Sequence, residues 1–197
     1  MIVILRVCLA TATAVAATLL AIPGPAAAVP AVAVHTYTYV DLGVLAGVPA
    51  PPGRSSANGV TAVGEVTGTS SAPGRATGLA YLYRNGQMVS LGSIYTSYGA
   101  GSFATGISNA GHIVGLRYAS QLGNHRATMW RNGRIVNLPG LSQRDSEANA
   151  VNDSGQVAGL AWPASGAARA VMWTNRVLRD LGTLGGNHES AVAHDIA

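Results

Sequence analysis

Lysine is absent from this chain: all 12 basic residues are arginines. After Arg6 they are scattered at positions 54, 75, 84, 117, 126, 131, 134, 144, 169, 176 and 179, and no four cluster along the chain. A nucleic-acid binder shows a basic stripe, so no nucleic-acid partner is expected. Cysteine is nearly absent too. The single one, Cys8, lies in the apolar leader, which leaves residues 29–197 without a thiol, a disulfide or a cysteine metal ligand. An exported chain of that kind must draw its stability from a core or from stacking. After the leader no stretch is apolar for long enough to cross a bilayer, so no stable membrane span is expected once the leader is removed. No window after residue 36 carries a sustained helical face.

The leader itself has the layout of a secretory signal. Arg6 supplies the positive start, residues 7–22 are apolar, and the small residues Ala26-Ala27-Ala28 follow. Pro23-Gly24-Pro25 breaks the apolar helix just before them. Cleavage is expected after Ala28, with Ala33 as the alternative, giving a secreted, extracellular product. Residues 29–36 read as a flexible lead-in and 37–197 as the folded part.

What the folded part has in abundance is repetition, every 43 to 49 residues. An aromatic residue precedes an N-G turn, a Leu-Gly or Leu-Pro step follows, and a second turn leads to G-x-x-G. The module reads Tyr83-Arg84-Asn85-Gly86, Leu91-Gly92, Gly111-His112-Ile113-Val114-Gly115. It returns as Trp130-Arg131-Asn132-Gly133, Leu138-Pro139, Gly155-Gln156-Val157-Ala158-Gly159, and starts again at Trp173-Thr174-Asn175. With Gly68, Gly115 and Gly159 as rulers, successive units lie 47 and 44 residues apart.

Two residues of type Asn-Gly between apolar runs predict a hairpin in which both central positions take positive φ. Strands are therefore expected at 80–83 and 87–91, 103–107 and 112–117, 127–130 and 134–138, and 147–151 and 156–161. A further half-buried strand is expected over 37–42, and residues 60–67 read as strand, bend at Gly64, strand. The Pro-, Gly- and Ser-rich stretch 46–58 reads as a long loop. Four short antiparallel strands per unit predict an all-β, propeller-like architecture of about three and a half repeats. In it Tyr83, Trp130 and Trp173 pack between neighbouring sheets, and Leu91, Leu138 and Leu181 fill the sheet cores. Gly64, Gly111 and Gly155 permit a left-handed backbone at the second turn, and Gly133 does so at the first.

The string Asp180-Leu181-Gly182-Thr183-Leu184-Gly185-Gly186, with its near match at 41–47, resembles the HAF-repeat family of exported bacterial proteins. The turn strings 150–159 and 106–115 resemble that family's A-x-x-I-N-x-x-G-x-V-x-G. The chain departs from it at the name-giving triplet, where Leu79-Ala80-Tyr81, Arg126-Ala127-Thr128 and Arg169-Ala170-Val171 keep only the alanine. The middle unit also has Asn137-Leu138-Pro139 where the family has an acidic start. The resemblance implies an exported, propeller-like repeat protein. It carries no activity onto any residue here. Because the chain opens on one unit's D-L-G and stops at Asp195-Ile196-Ala197, the expectation is a fragment of a longer ring. The alternative is an arc that self-associates through an open blade edge.

Little in the chain points to catalysis. No G-x-S-x-G supports a nucleophile, and no cofactor or metal site is expected; His188 and His194 have only generic spacing. The acids Glu65, Glu147 and Glu189 follow different loops of the units. Were they to converge, a carbohydrate-active or other secreted hydrolase would be the alternative reading. The first reading is a non-enzymatic extracellular binding module whose contacts sit on variable loops over a repetitive scaffold. Tyr95, Tyr98 and Arg144 are the candidate contact residues, and a glycan or cell-envelope component the expected partner.

Overall fold

The computed structural model describes residues 36–45, 53–71, 78–92, 101–118, 124–185 and 189–197. Leu42–Ala197 belongs to one compact unit; residues 36–41 belong to a second. Among the described residues the chain is all-β with no helix. Twelve strands form three four-stranded antiparallel sheets, each a simple up-and-down meander, and no sheet closes on itself. Sheet 1 holds β1 (Arg54–Val60), β2 (Val66–Ser71), β3 (Leu79–Arg84) and β4 (Gln87–Ser90). Sheet 2 holds β5 (Ser102–Ile107), β6 (Ile113–Tyr118), β7 (His125–Arg131) and β8 (Arg134–Asn137). Sheet 3 holds β9 (Ser146–Val151), β10 (Val157–Ala161), β11 (Arg169–Thr174) and β12 (Val177–Gly182).

Each third-to-fourth-strand hairpin turns on two residues of positive φ: Asn85 and Gly86, Asn132 and Gly133, Asn175 and Arg176. That is the type I′ geometry whose twist matches the flanking strands. The first-to-second-strand turns share a different geometry. Gly64, Gly111 and Gly155 take φ of +84, +77 and +77. Thr61 Oγ1, Ser108 Oγ and Asn152 Oδ1 each accept the backbone N–H four residues on, at 3.0, 3.3 and 2.9 Å. Three different side chains thus close the same loop with the same bond.

The sheets stack in chain order, and the two seams between them are built alike. Trp130 reaches from sheet 2 into a cluster with Ala80, Ala104 and Ile113, with Leu82 and Leu91 packed against it. Trp173 of sheet 3 enters the larger cluster of Val114, Met129, Leu138, Val157 and Val171. Burying an aromatic of this size removes about 150–250 Å² from water. The seam rule is an aromatic from the following sheet meeting a leucine from the preceding one. It explains why two repeat positions, at either end of the stack, lack their partner. Tyr83 is only half-buried, and Leu181, expected in a core, is 49% exposed. No described sheet follows sheet 3 to cover Leu181, and none precedes sheet 1 to receive Tyr83.

A β-bulge recurs in the first strand of every sheet, at Asn58, Thr105 and Asn149. The bulge turns a carbonyl toward the neighbouring strand. A Cβ on Gly68, Gly115 or Gly159 would overlap the carbonyl of Ser56, Phe103 or Glu147. That explains the ruler glycines by space, not by φ. The bulged side chain bonds the segment that follows in the stack, and Thr105 Oγ1 also lies 3.1 Å from Val114 O of its own sheet. Asn58 Nδ2 donates to Ala104 O at 2.7 Å, Thr105 Oγ1 to Ala148 O at 2.6 Å, and Asn149 Nδ2 to Ala193 O at 2.9 Å. Asn152 Nδ2 likewise donates to Ala197 O at 3.0 Å, so residues 193–197 lie against sheet 3 as β9 lies against sheet 2.

Two expectations are corrected. Residues 54–58, read as loop with the rest of the Pro-, Gly- and Ser-rich stretch 46–58, form most of β1, because pairing with β2 overrides weak local propensity. Residues 37–42, read as a strand, hold only an isolated bridge at Thr38. The matching Asp180-Leu181-Gly182 is held as strand by β11; residues 41–43 have no equivalent of β11 among the described residues. No helix of the described residues is long and apolar enough to cross a membrane.

Candidate functional site

Where the hairpin turn of one sheet comes down beside the outer strand of the sheet before it, the stack leaves a cleft. The first cleft, about 510 Å³, lies between sheets 1 and 2. Its apolar side is Leu82, Leu91, Ile113 and Trp130; its polar side carries Glu65, Arg84, Arg131 and Asn132. The second, about 370 Å³, is lined by Asn137, Leu138, Pro139, Asn175 and Arg176. The two are the same place in successive units. Ser90-Leu91 in the first matches Asn137-Leu138 in the second, and Asn132-Gly133 matches Asn175-Arg176.

Their electrostatics follow from the arginines. Arg84, Arg131, Arg134 and Arg176 are exposed, and none forms an ion pair among the described residues. Arg84 and Arg131 occupy the same position in units 1 and 2, the last residue before the turn, and both line the first cleft. Arg176 stands where the other two hairpins have glycine, and holds φ at +66. An L-residue there is strained, and the preference for Gly is large. A long cation is therefore held over the second cleft by a backbone conformation that favours no side chain at all.

The sequence candidates fall elsewhere. Tyr95 and Tyr98 lie outside the described residues. Arg144 is exposed, but its Nη1 donates to Pro163 O and Gly166 O, both at 3.1 Å, and so ties down the loop after β10. The three acids do not converge. Glu65 lies in the turn joining β1 to β2. Glu147 lies near the start of β9, the end of its sheet away from the equivalent turn 152–156, and pairs with His125 Nε2 at 2.8 Å. The carboxylate of Glu189 lies near Gly185. No group of three or more His, Cys, Asp or Glu suited to a metal occurs among the described residues.

A constellation that sequence reading missed surrounds His125. Its backbone N–H donates to Asp145 Oδ1 at 2.9 Å, its ring meets Glu147, and it sits in an edge-to-face row Phe103–Tyr118–His125–Trp162 with centroids 5.8, 5.9 and 6.1 Å apart. The row crosses from sheet 2 to sheet 3, and Ser142 Oγ fastens Trp162 O at 2.8 Å. Its members come from strand ends and loops that share no spacing, so only the repeat offset of about one unit between Phe103 and Glu147 hinted at it. No protein-family model, no curated protein and no solved structure matches this chain.

Proposed function

We propose that this chain is an exported, non-enzymatic binding module of HAF-repeat type, whose stacked sheets form a propeller-like arc. Export rests on the signal-like leader. The observation that carries the binding reading is the division of labour among residues. The repeated side chains and glycines are consumed in seams, turns and bulges. The groups left facing solvent between sheets are the arginines, asparagines and one glutamate of the outer clefts. A scaffold whose repeated positions are all structural, with its acids dispersed over separate surfaces, is arranged for contact and not for turnover. The partner is an extracellular glycan or another cell-envelope component. The uncovered face of sheet 3 also offers a place for a second copy. Screening the full chain, secreted from its own leader, against glycan arrays and cell-envelope fractions tests the reading. Saturable binding is the expected result. Turnover of a hydrolase substrate that disappears in Glu147→Gln would overturn it.

A further inference from the structure

We propose that the two outer clefts form one recognition ridge for a linear acidic polysaccharide, a chain of uronic-acid-type sugars laid across the sheet stack. This rests on the binding-module reading and makes it specific. Three observations carry it. The clefts are equivalent by repeat position, one at each seam, and each sets an asparagine and an arginine beside a leucine, so a ligand with its own repeat meets like groups twice. The first cleft offers two guanidinium groups and the second one, none of them paired with a described carboxylate, and a planar guanidinium holds a carboxylate through two parallel hydrogen bonds. Arg176 keeps a strained left-handed backbone where the sister hairpins use glycine, and local strain of this kind is stored at functional positions.

The chemistry of the clefts favours a sugar acid over a nucleic acid. Cations number one or two per cleft, whereas duplex DNA presents one charge per roughly 1.7 Å and is met by dense basic patches. Glu65 lines the first cleft beside Arg84 and Arg131. A carboxylate there opposes any polyanion alike, but it accepts hydrogen bonds from sugar hydroxyls, donors that a DNA phosphate backbone does not offer. Asn132 and Asn175 add amides that both donate and accept. Val89 and half-buried Leu91 in the first cleft, and exposed Pro139 in the second, give the apolar ring face of a sugar a surface to rest on.

Calorimetric titration of the full chain with polygalacturonate oligomers tests the proposal, with dextran, dextran sulfate and duplex DNA as comparison ligands. Polygalacturonate should bind most tightly. The Arg84→Gln/Arg131→Gln double variant should lose about tenfold or more in affinity, as expected for bidentate charge-assisted bonds. The second cleft has a variant that separates binding from folding. Arg176→Gly relieves the strained φ, so it should raise the melting temperature while weakening polygalacturonate binding. Dextran sulfate or DNA bound as tightly as polygalacturonate would overturn the proposal, leaving only charge attraction. So would unchanged affinity in both arginine variants. Dextran binding that ignores those variants would sink the acidic-ridge assignment while leaving the chain a glycan-binding module.

Discussion

At the scale of single residues, each repeated position solves a local steric or hydrogen-bonding problem, and the solutions can be tested one at a time. Gly133 holds φ at +70 in a two-residue turn. Gly133→Val places a β-branched side chain in the left-handed region and should destabilise the fold by about 1 kcal/mol or more in urea unfolding. The two seam tryptophans make a sharper comparison. Trp173 Nε1 donates to Pro139 O at 2.7 Å, whereas buried Trp130 Nε1 has no acceptor among the described residues. Trp173→Phe should therefore cost about 1 kcal/mol more than Trp130→Phe, the net value of one hydrogen bond; equal losses would show that the bond contributes nothing. Tyr81 gives a pH signature. Its ring is buried, its hydroxyl donates to Ser56 O at 3.1 Å, and burial pushes its pKa up to about 12. A phenol whose folded-state pKa lies above its unfolded value of about 10 adds stability that is complete below pH 10 and drains away as the pH rises toward 12. Alkaline unfolding should set in across that window. The phenolate absorbance of Tyr81 should rise only as the fold is lost, and Tyr81→Phe should flatten the decline.

The element scale shows why some of the fold could be read from sequence and some could not. The Asn-Gly pairs placed two of the three type I′ hairpins, because φ > 0 at both positions leaves few residue choices. The third hairpin, Asn175-Arg176, is legible only through its neighbours' spacing. The acid that opens D-L-G has a turn role: Asp180 Oδ1 accepts from Gly182 N at 2.8 Å, and Ser90 Oγ does the same for Gly92 N at 3.1 Å. In the middle unit Pro139 has no N–H to satisfy, and Asn137 Oδ1 accepts from Arg117 Nη2 instead. The middle unit's departure from the Leu-Gly step of the other two is thus self-consistent. Strand β1 was illegible because its Ser- and Asn-rich sequence is chosen for the bulge and for the contact to sheet 2, not for strand propensity. The outer clefts were illegible as well, since their arginines are dispersed along the chain and only the stack gathers them. The bulge itself can be tested at its partner. Gly115→Ala puts a methyl into the Phe103 carbonyl and should destabilise by about 1–3 kcal/mol, typical of overpacking. Gly111→Ala has open space around its Cβ and answers only to φ, so it should cost less.

At the scale of the molecule, the stack has a finished middle and an open flank. Val177, Leu181 and Leu184 stand 70, 49 and 107% exposed on and just beyond β12, where the equivalent leucines Leu138 and Leu141 are covered by sheet 3. Exposed apolar strips beside an unpaired strand edge invite association. A protein of residues 29–197 should scatter light as a self-associated species, or bind a hydrophobic dye as an open arc. Leu181→Glu with Leu184→Glu should abolish either signal while leaving the melting temperature nearly unchanged. A compact cooperative monomer that ignores the dye in its unsubstituted form would contradict the open-flank description.

The bulged side chains of Asn58, Thr105 and Asn149 also bear on how such a chain changes over generations. Each reaches the segment immediately after it in the stack, and always in the same direction. A module copied or deleted whole would therefore leave every remaining seam with a matching partner, and the protein could lengthen or shorten by one sheet without renegotiating its interior. The stack reads as a one-way sentence, extensible clause by clause, in which the grammar of each junction is already written into the clause before it.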